Sequence, residues 1–448
     1  MQTRVTYSML AGASINIIDY GASTSNADNY TAISLAIANA ASTGHAVYIP
    51  AGLYMYGTTL TLSTGIKLIG EGSDASILKY TGVNNAVECA SSNSFSCLKI
   101  QGTTAANNGI VIGGDNDAYT LCSDFNLSDC EITGFNAMGQ VSGVTGEYTQ
   151  GGSGYSSLTT IIFSAPPTGT TATGTPILSG DRLIGVALTN RGTGYTTPPT
   201  ITTSGPGTGA TLRSYINSTG LVVRACVTGH VSNSYVTRNW RNILFMYGSL
   251  NTTWQFDTNN FSYTEGTQSY WNGGPCVQIE GLQSSIWNNT IVEVCGAEAI
   301  LCYGKYAQNI TFNANYYELA NVGSKGSVVR LTGDGASAQP IHVNFNNDLI
   351  GIQPLYPIPT TNGYTTSTVY SMSEFIYSFE YALYCTINSP KWISENYYYT
   401  IYAGANAICC TYFAPVAGGI TNQDTDQPLQ GIKVLPALVN TPLTLYGY

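Results

Sequence analysis

Charge is what this chain has least of. Only 9% of its 448 residues are Asp, Glu, Lys or Arg, against roughly 25% in ordinary soluble domains. Coiled coils and long solvent-facing helices need Glu and Lys on their wet sides, so neither is the main architecture. Disorder driven by charge is disfavoured too. Cations are scarcest: 15 Lys and Arg stand against 25 Asp and Glu, a net charge of −10. A nucleic-acid phosphate backbone is therefore not an expected partner. His45, His230 and His342 lie far apart in no ligand spacing, so no metal or other cofactor is expected. No CxxC pair occurs, which removes the common zinc and redox motifs.

Long hydrophobic runs are missing as well. None reaches the ~18–20 residues of a membrane span; the best, Ala405 to Ile420, is broken by Asn406, Thr411 and Pro415. Near the N-terminus, Arg4 and Ala11-Gly12-Ala13 suggest a leader, but Thr6, Tyr7 and Ser8 interrupt its would-be apolar core. That is a poor signal peptide, and it predicts folding without crossing a membrane. The eleven cysteines cannot all pair within one chain. Cys130, Cys226, Cys276 and Cys295 sit in apolar strand-like runs, so buried free thiols are expected, assembled in a reducing cytoplasm. A strained Cys409–Cys410 disulfide is the alternative.

What is abundant is Gly (49) and Tyr (33), with Asn, Thr and Ser between, a vocabulary of strands and turns. Residues 1–13 read as an N-terminal arm. Ile15, Ile17 and Ile18 form a short strand, and Asp28 caps a helix over 28–43 whose stripe is Tyr30, Ile33, Leu35, Ile37 and Ala41. A stack of strand coils has an open apolar end, and a helix laid across it keeps water and other edges away. Strands of three to five residues follow, set off by Gly, Asn or Ser, across 14–142 and again across 221–350. Helix-free strands at uneven spacing suit a solenoid better than a propeller.

The interruption at 143–220 carries an internal repeat: Gly152-Ser153-Gly154-Tyr155 is echoed by Gly192-Thr193-Gly194-Tyr195. Each copy runs into a Thr/Ile strand and a Pro/Gly turn, which reads as a small inserted β module rather than a loose loop. Beyond 351 the chain turns aromatic, with Tyr370, Phe375, Tyr377, Phe379, Tyr381, Tyr384, Trp392 and Tyr397 to Tyr399. That predicts a C-terminal β-rich domain over 351–448 with a large partner surface, a closed sandwich core being the alternative.

The stretch Ile15–Gly72, with Asp19-Tyr20-Gly21-Ala22, Tyr48-Ile49-Pro50-Ala51-Gly52-Leu53-Tyr54 and Gly70-Glu71-Gly72, resembles the opening of pectate-lyase-like right-handed parallel β-helices. Gln308–Ala320 resembles a later coil of the same proteins. The resemblance implies an all-β solenoid with an N-terminal capping helix. Within that superfamily the chain is most similar to bacteriophage tailspikes and capsule depolymerases. This implies a homotrimer joined through the C-terminal region, a virion tail location after assembly in the host cytoplasm, and a bacterial surface polysaccharide as ligand. With about a dozen residues before the β-helix, the large virion-binding head of many tailspikes is missing, so attachment would use an adaptor or other virion tail protein, or another surface of this protein.

The resemblance transfers no catalytic site. Polygalacturonase-type enzymes use Asn-Thr-Asp, Asp-Asp, Gly-His-Gly and Arg-Ile-Lys; here there is no Asn-Thr-Asp and no Asp-Asp, and Gly229-His230 is followed by Val231. What remains is carboxylate pairing. Glycoside hydrolysis needs a protonated and an ionised carboxyl roughly 5–9.5 Å apart, and adjacent coils stack about 4.8 Å apart. If Val292, Val294, Ile310, Phe312, Ile341 and Val343 point inward, Glu293, Asn313 and Asn344 form an outward column. Asp257 and Glu265 flank an aromatic loop with Trp254, Phe261, Tyr263, Tyr270 and Trp271, where rings could stack on sugars. Catalytic candidates are therefore Asp257, Glu265 and Glu293; glycan-binding candidates are Trp254, Tyr263, Trp271, Asn313, Glu318 and Asn344. Glu280 and Glu298 are further acids, and Glu88, Asp124, Asp129 and Glu131 form a group beside the insert. For each, a solvated coil acid is the plainer explanation. Three readings stay open: a spike that cleaves its polysaccharide, a spike that only binds it, and a cellular lyase or hydrolase.

Overall fold

The computed structural model describes residues 14–113, 121–248, 251–266, 273–318, 327–335, 339–351 and 377–388, with short strands at 391–392, 399–408, 410–414, 419–422 and 433–436. The arm 1–13, Cys409, Trp271 and much of the aromatic tail lie outside these residues. The chain divides into two compact units, Met1–Asn259 and Asn260–Tyr448.

The first unit opens with Ile15–Asn16 paired in parallel to Val47–Tyr48. Between them lies the helix α1, Tyr30–Thr43. Asp28 Oδ1 accepts the Tyr30 N–H at 2.8 Å, satisfying one of the donors that a helix start leaves open. Gly44 ends it in the left-handed conformation. Ala32, Ile33, Ala36, Ile37 and Ala40 are buried, but Leu35 is 52% exposed. Leu35 stands two residues from Ile33 and from Ile37, about 200° around the helix from each, so it cannot share their face. Alanine supplies the remaining contacts and lets the helix lie close.

Each following rung contributes strands to three walls. The first wall stacks Leu60–Leu62, Val87–Cys89, Ile110–Ile112, Thr219–Val223 and Arg241–Phe245. The second stacks Val47–Tyr48, Lys67–Ile69, Ser94–Ser96, Phe125–Ser128, Gly229–Ser232 and Thr252–Asp257. The third stacks Gly52–Tyr56, Ser76–Tyr80, Lys99–Gln101, Glu131–Thr133 and Tyr235–Asn239. Every pairing is parallel, which is the parallel β-helix that the sequence predicts. Side chains alternate along a strand, so inward positions line up as columns: Phe95, Leu127, Val231 and Phe256 on one wall, Leu78, Ile100, Ile132 and Val236 on another. The sharp corners use left-handed residues such as Asp124, Asp129, Asn233 and Thr258. Buried asparagines satisfy the corner backbone: Asn259 accepts Ser234 N–H at 3.1 Å and donates to Val231 O at 2.9 Å.

The insert is an antiparallel sheet ordered Thr173–Ser179, Arg182–Asn190, Val141–Ser153, Thr208–Ile216, with a second, two-stranded antiparallel sheet of Thr160–Phe163 and Ile201–Ser204. Its repeat is structural. Tyr155 and Tyr195 are both buried, and each hydroxyl accepts one backbone N–H, from Ala210 at 3.1 Å and from Ala172 at 2.9 Å. Gly194 has φ +79°, and a Cβ there would collide with the Thr168 carbonyl. The insert also covers the outside of the first wall, where Val111, Val222 and Leu244 form a buried cluster with Tyr215 and Met246. This explains why strands such as Thr219–Val223 are buried on both faces.

The second unit repeats the three-walled rung. Its first wall stacks Val277–Ile279, Ile300–Tyr303, Val329–Thr332 and Tyr377–Leu383. Its second stacks Leu282–Asn288, Ala307–Asn313, Ile341–Asn346 and Thr386–Asn388. Its third stacks Asn260–Thr264, Ile291–Glu293, Tyr316–Glu318, Leu349–Gly351 and Lys391–Trp392. The strands described after residue 376 are parallel too, through Tyr399–Ile408 and Thr411–Ala414 to Lys433–Pro436. Tyr377, Phe379 and Ile387 thus serve as core residues of rungs. The ten described cysteines are free thiols and all but Cys97 are buried. No helix among the described residues is long and apolar enough to cross a membrane.

Candidate active site

The rungs sort the sequence candidates, and they separate most of them. Trp254 is buried in the first unit's core, 5.1 Å from the Phe245 ring and 5.8 Å from Phe256, with its N–H on Cys226 O. It is a packing residue, not a sugar platform, because its position alternates with the outward Thr253 and Gln255. Phe261 is likewise buried. Asp257 is on the outside of the second wall, where its Oδ2 meets His230 Nε2 at 2.9 Å and accepts from Gln255 at 2.6 Å. Glu265 and Tyr263 are half-buried in the second unit, at and just beyond the strand Asn260–Thr264.

Glu293, Asn313 and Asn344 do not share a column. Glu293 stacks on Ser262 and Glu318, Asn313 on Asn288 and Asn346, and Asn344 on Thr311 and Thr386. The expectation failed because Ile291–Glu293 belongs to the third wall, whereas Asn313 and Asn344 are on the second and stand two register positions apart. The acid group beside the insert is scattered too. Glu131 pairs with Lys99 at 2.7 Å, Asp124 accepts from Thr228, Asp129 forms a corner, and Glu88 accepts from Asn85. Glu88 is the nearby charge that opposes the effect of burial on Arg191 and Arg224, whose guanidinium pKa values burial lowers to about 10.

Besides Asp74 and Glu131, which share Lys99 in the first unit, two carboxylate arrangements stand out among the described residues of the second unit. On the third wall Glu293 and Glu318 occupy adjacent rungs, about 4.8 Å apart along the stack. Asn260 donates to Glu293 at 3.4 Å and the Tyr316 hydroxyl to Glu318 at 2.8 Å. Burial, then the bond to Glu318, pushes the Tyr316 phenol up to about 12.

The first wall carries the more differentiated set. Arg330 is an outward position between the inward Val329 and Leu331. Its Nε and Nη2 donate to the two oxygens of Glu380 at 2.8 and 2.9 Å, while Nη1 stands 3.5 Å from Glu298 Oε1. Thr332, two residues along the same strand, donates to Glu380 Oε2 at 2.8 Å. Burial pulls the Arg330 pKa down, but the two carboxylates outweigh it and raise it overall. The Glu298 side chain is only 5% exposed, and burial raises its pKa despite its backbone bond and Arg330. Nearby, Gln278 donates to the buried Glu280 and the Tyr303 hydroxyl to Asp334. One carboxyl whose pKa burial raises thus shares a guanidinium with one locked in a bidentate ion pair. Glu280 and Glu298 are visible in the sequence as acids; Arg330 and Glu380 are not singled out, because 50 residues separate partners that one rung brings together. Among the described residues, no group of three His, Cys, Asp or Glu is placed to hold a metal ion.

Residues 14–240 match the family described as rhamnogalacturonase A/epimerase, pectate lyase-like. The chain belongs to this family. No curated protein matches it in sequence. Among solved structures, it is similar to the Dettilon tailspike protein, at 14% identity and a TM-score of 0.54, over 94% of this chain and 70% of that one. It is also similar to DFA-IIIase from Arthrobacter chlorophenolicus A6 in complex with GF2, at 11% identity and 0.51, over 94% and 91%. Tailspike protein 2 of Escherichia coli O157:H7 bacteriophage CAB120 matches at 11% identity and a TM-score of 0.47, over 94% of this chain and 46% of that one. At these identities the likeness is one of fold.

Proposed function

We propose that this protein is a spike of the tailspike kind that binds a bacterial surface polysaccharide along its solenoid and hydrolyses it. The observation that carries the chemistry is the Glu298–Arg330–Glu380 set on one outer wall. Hydrolysis of a glycosidic bond needs an acid that is still protonated at working pH and a second, ionised carboxylate. Glu298, its pKa raised by burial, would protonate the leaving oxygen. Glu380, aimed by Arg330 and Thr332, would act on the sugar or on the attacking water. Arg330 is the positioning residue of the pair. The virion location and the homotrimer belong to the same proposal, and what supports them is the fold shared with the Dettilon tailspike protein.

The test is incubation with surface polysaccharides extracted from candidate bacteria, following chain length, new reducing ends and the ultraviolet absorbance of unsaturated sugars. Reducing ends without absorbance, abolished in Glu298→Gln and Glu380→Gln, are expected. Absorbance would make the protein a lyase and refute the acid pair. Light scattering on the same sample should give three chains; a ~47 kDa monomer would remove the spike. One observation favours a second reading, binding without cleavage: Glu298 is almost closed to solvent and already ion-paired, as in a purely structural network.

A further inference from the structure

Over four rungs the second wall of the second unit carries no fixed charge, which sets it apart from the other walls; its continuation through Thr411–Ala414 reaches a charge only at Lys433, two rungs beyond Thr386. Residues 282–288, 307–313, 341–346 and 383–388 contain no Asp, Glu, Lys or Arg. Inward, Trp287, Phe312 and Phe345 fill the core. Outward, the register builds polar columns. Asn288, Asn313, Asn346 and Asn388 align on successive rungs. Each Nδ2 donates to the oxygen of the preceding rung, at 3.1, 2.9 and 2.6 Å. An amide can make four hydrogen bonds; the ladder uses two on Asn313 and on Asn346 and fixes both planes. Beside it run Ile286, Thr311, Asn344 and Thr386, with Thr386 donating to Asn344 at 2.6 Å.

The edge of this wall is aromatic. Ser284, Asn309, His342 and Tyr384 all have positive φ near 50–60°, which turns their side chains out at the corner. Asn309 Oδ1 meets His342 Nδ1 at 3.2 Å, and the His342 and Tyr384 rings lie 5.4 Å apart at 30°. Tyr384 is 49% exposed and Ile286 47%. Exposed ring and aliphatic surface next to rigid amides and hydroxyls matches the two faces of a sugar, apolar C–H and hydroxyl edge. Recognition of carboxylates, by contrast, calls for Arg or Lys. The described cationic side chains of this unit are Arg330, engaged by two glutamates, and Lys305, whose Nζ lies 4.8 Å over the Tyr306 ring. A chain of net charge −10 adds general repulsion of polyanions.

We infer that this wall is the binding strip for the polysaccharide, and that the polysaccharide is uncharged there, a neutral glycan and not a polyuronate. The inference rests on the polysaccharide reading above and narrows its substrate class. Sugars stack on His342 and Tyr384 and hydrogen-bond to Thr311, Asn344, Thr386 and the asparagine ladder.

The experiment is affinity electrophoresis of the full chain carrying Glu298→Gln, in gels containing dextran, mannan, galactan or polygalacturonate. Retardation by at least one neutral polymer and none by polygalacturonate is expected. Tyr384→Ala should weaken it about tenfold, as loss of an aromatic anchor does, and Tyr384→Phe, which keeps the ring, should restore it. Retardation by polygalacturonate alone, by no neutral polymer, or unchanged in Tyr384→Ala overturns the inference. So does a change in oligomer size in Tyr384→Ala with retardation intact, which would make this wall a contact between copies. Because retardation is read without cleavage, failure of the hydrolysis proposal would leave this result standing.

Discussion

Asp348 offers a direct test of how the rungs are held. It follows the left-handed Asn347 at the corner before the strand Leu349–Gly351 and is 1% exposed. One rung earlier the same position is Asn315, which accepts Thr290 N–H at 2.9 Å and donates to Trp287 O at 3.2 Å. Asp348 keeps the acceptor half of that role, taking Asn315 N–H at 2.9 Å, with the Tyr317 hydroxyl 3.4 Å from its other oxygen. Burial pushes its pKa from the ordinary 3.8 up to about 8, and the bonds from Asn315 and Tyr317 only partly oppose this. The folded state therefore keeps a proton that the unfolded chain releases above pH 4. The contribution to stability is full below the unfolded pKa and disappears as pH rises through about 8. At about 1.4 kcal/mol per tenfold change in acidity, the loss is on the order of 5 kcal/mol by pH 8. Asp348→Asn restores the donor, removes the titration and should raise the guanidinium unfolding midpoint at pH 8.5 while changing it little at pH 4.5. Parallel midpoint-versus-pH curves for the two proteins would refute the argument.

Three further outcomes follow from the packing. Trp254→Ala should cost about 3–5 kcal/mol in the denaturant unfolding of the first unit, since the indole is enclosed by Phe125, Phe245 and Phe256; a surface sugar platform would cost little. Gly194→Ala should open the insert to proteases while the unfolding signal of the β-helix persists, because its φ of +79° and the Thr168 carbonyl both oppose a Cβ. Thiol reagents should modify the native protein slowly and the denatured protein fully, because burial raises the thiol pKa of Cys89, Cys130, Cys226 and Cys302 and the thiolate is the reactive form.

The fold was legible because it is written in short-range signals. Ile15–Gly72 contains a capping helix, strand pair and turn in sequence order, and the inserted repeat announces itself by Gly-x-Gly-Tyr. The local exceptions are Ile17 and Ile18, which form a 3-10 turn and not a strand, and Ala41 and Leu35, which the helix leaves exposed; Leu35 shows why. The apolar character of Leu35 fits a stripe by composition, but only the helical angle relative to Ile33 and Ile37 places it outside.

The site was far less legible, since a rung pairs residues whose separation the sequence does not fix. Glu293 and Glu318 are 25 positions apart, Asn313 and Asn346 are 33, and Arg330 and Glu380 are 50. Any column drawn from sequence must guess each corner, and one wrong corner moves every later side chain to another wall. The corner after Asn288 sends Ile291–Glu293 to the third wall, and missing it joined Glu293 to Asn313 and Asn344 of the second. The signal available beforehand was charge. Runs 282–288, 307–313, 341–346 and 383–388 are free of fixed charge, whereas 277–280, 298–305, 329–334 and 377–380 carry Glu280, Glu298, Lys305, Arg330, Asp334 and Glu380. In a solenoid, residues that recur in every coil with one chemical character share one wall. Charge segregation along the sequence therefore separates the acid-bearing wall from the neutral one even before register is known.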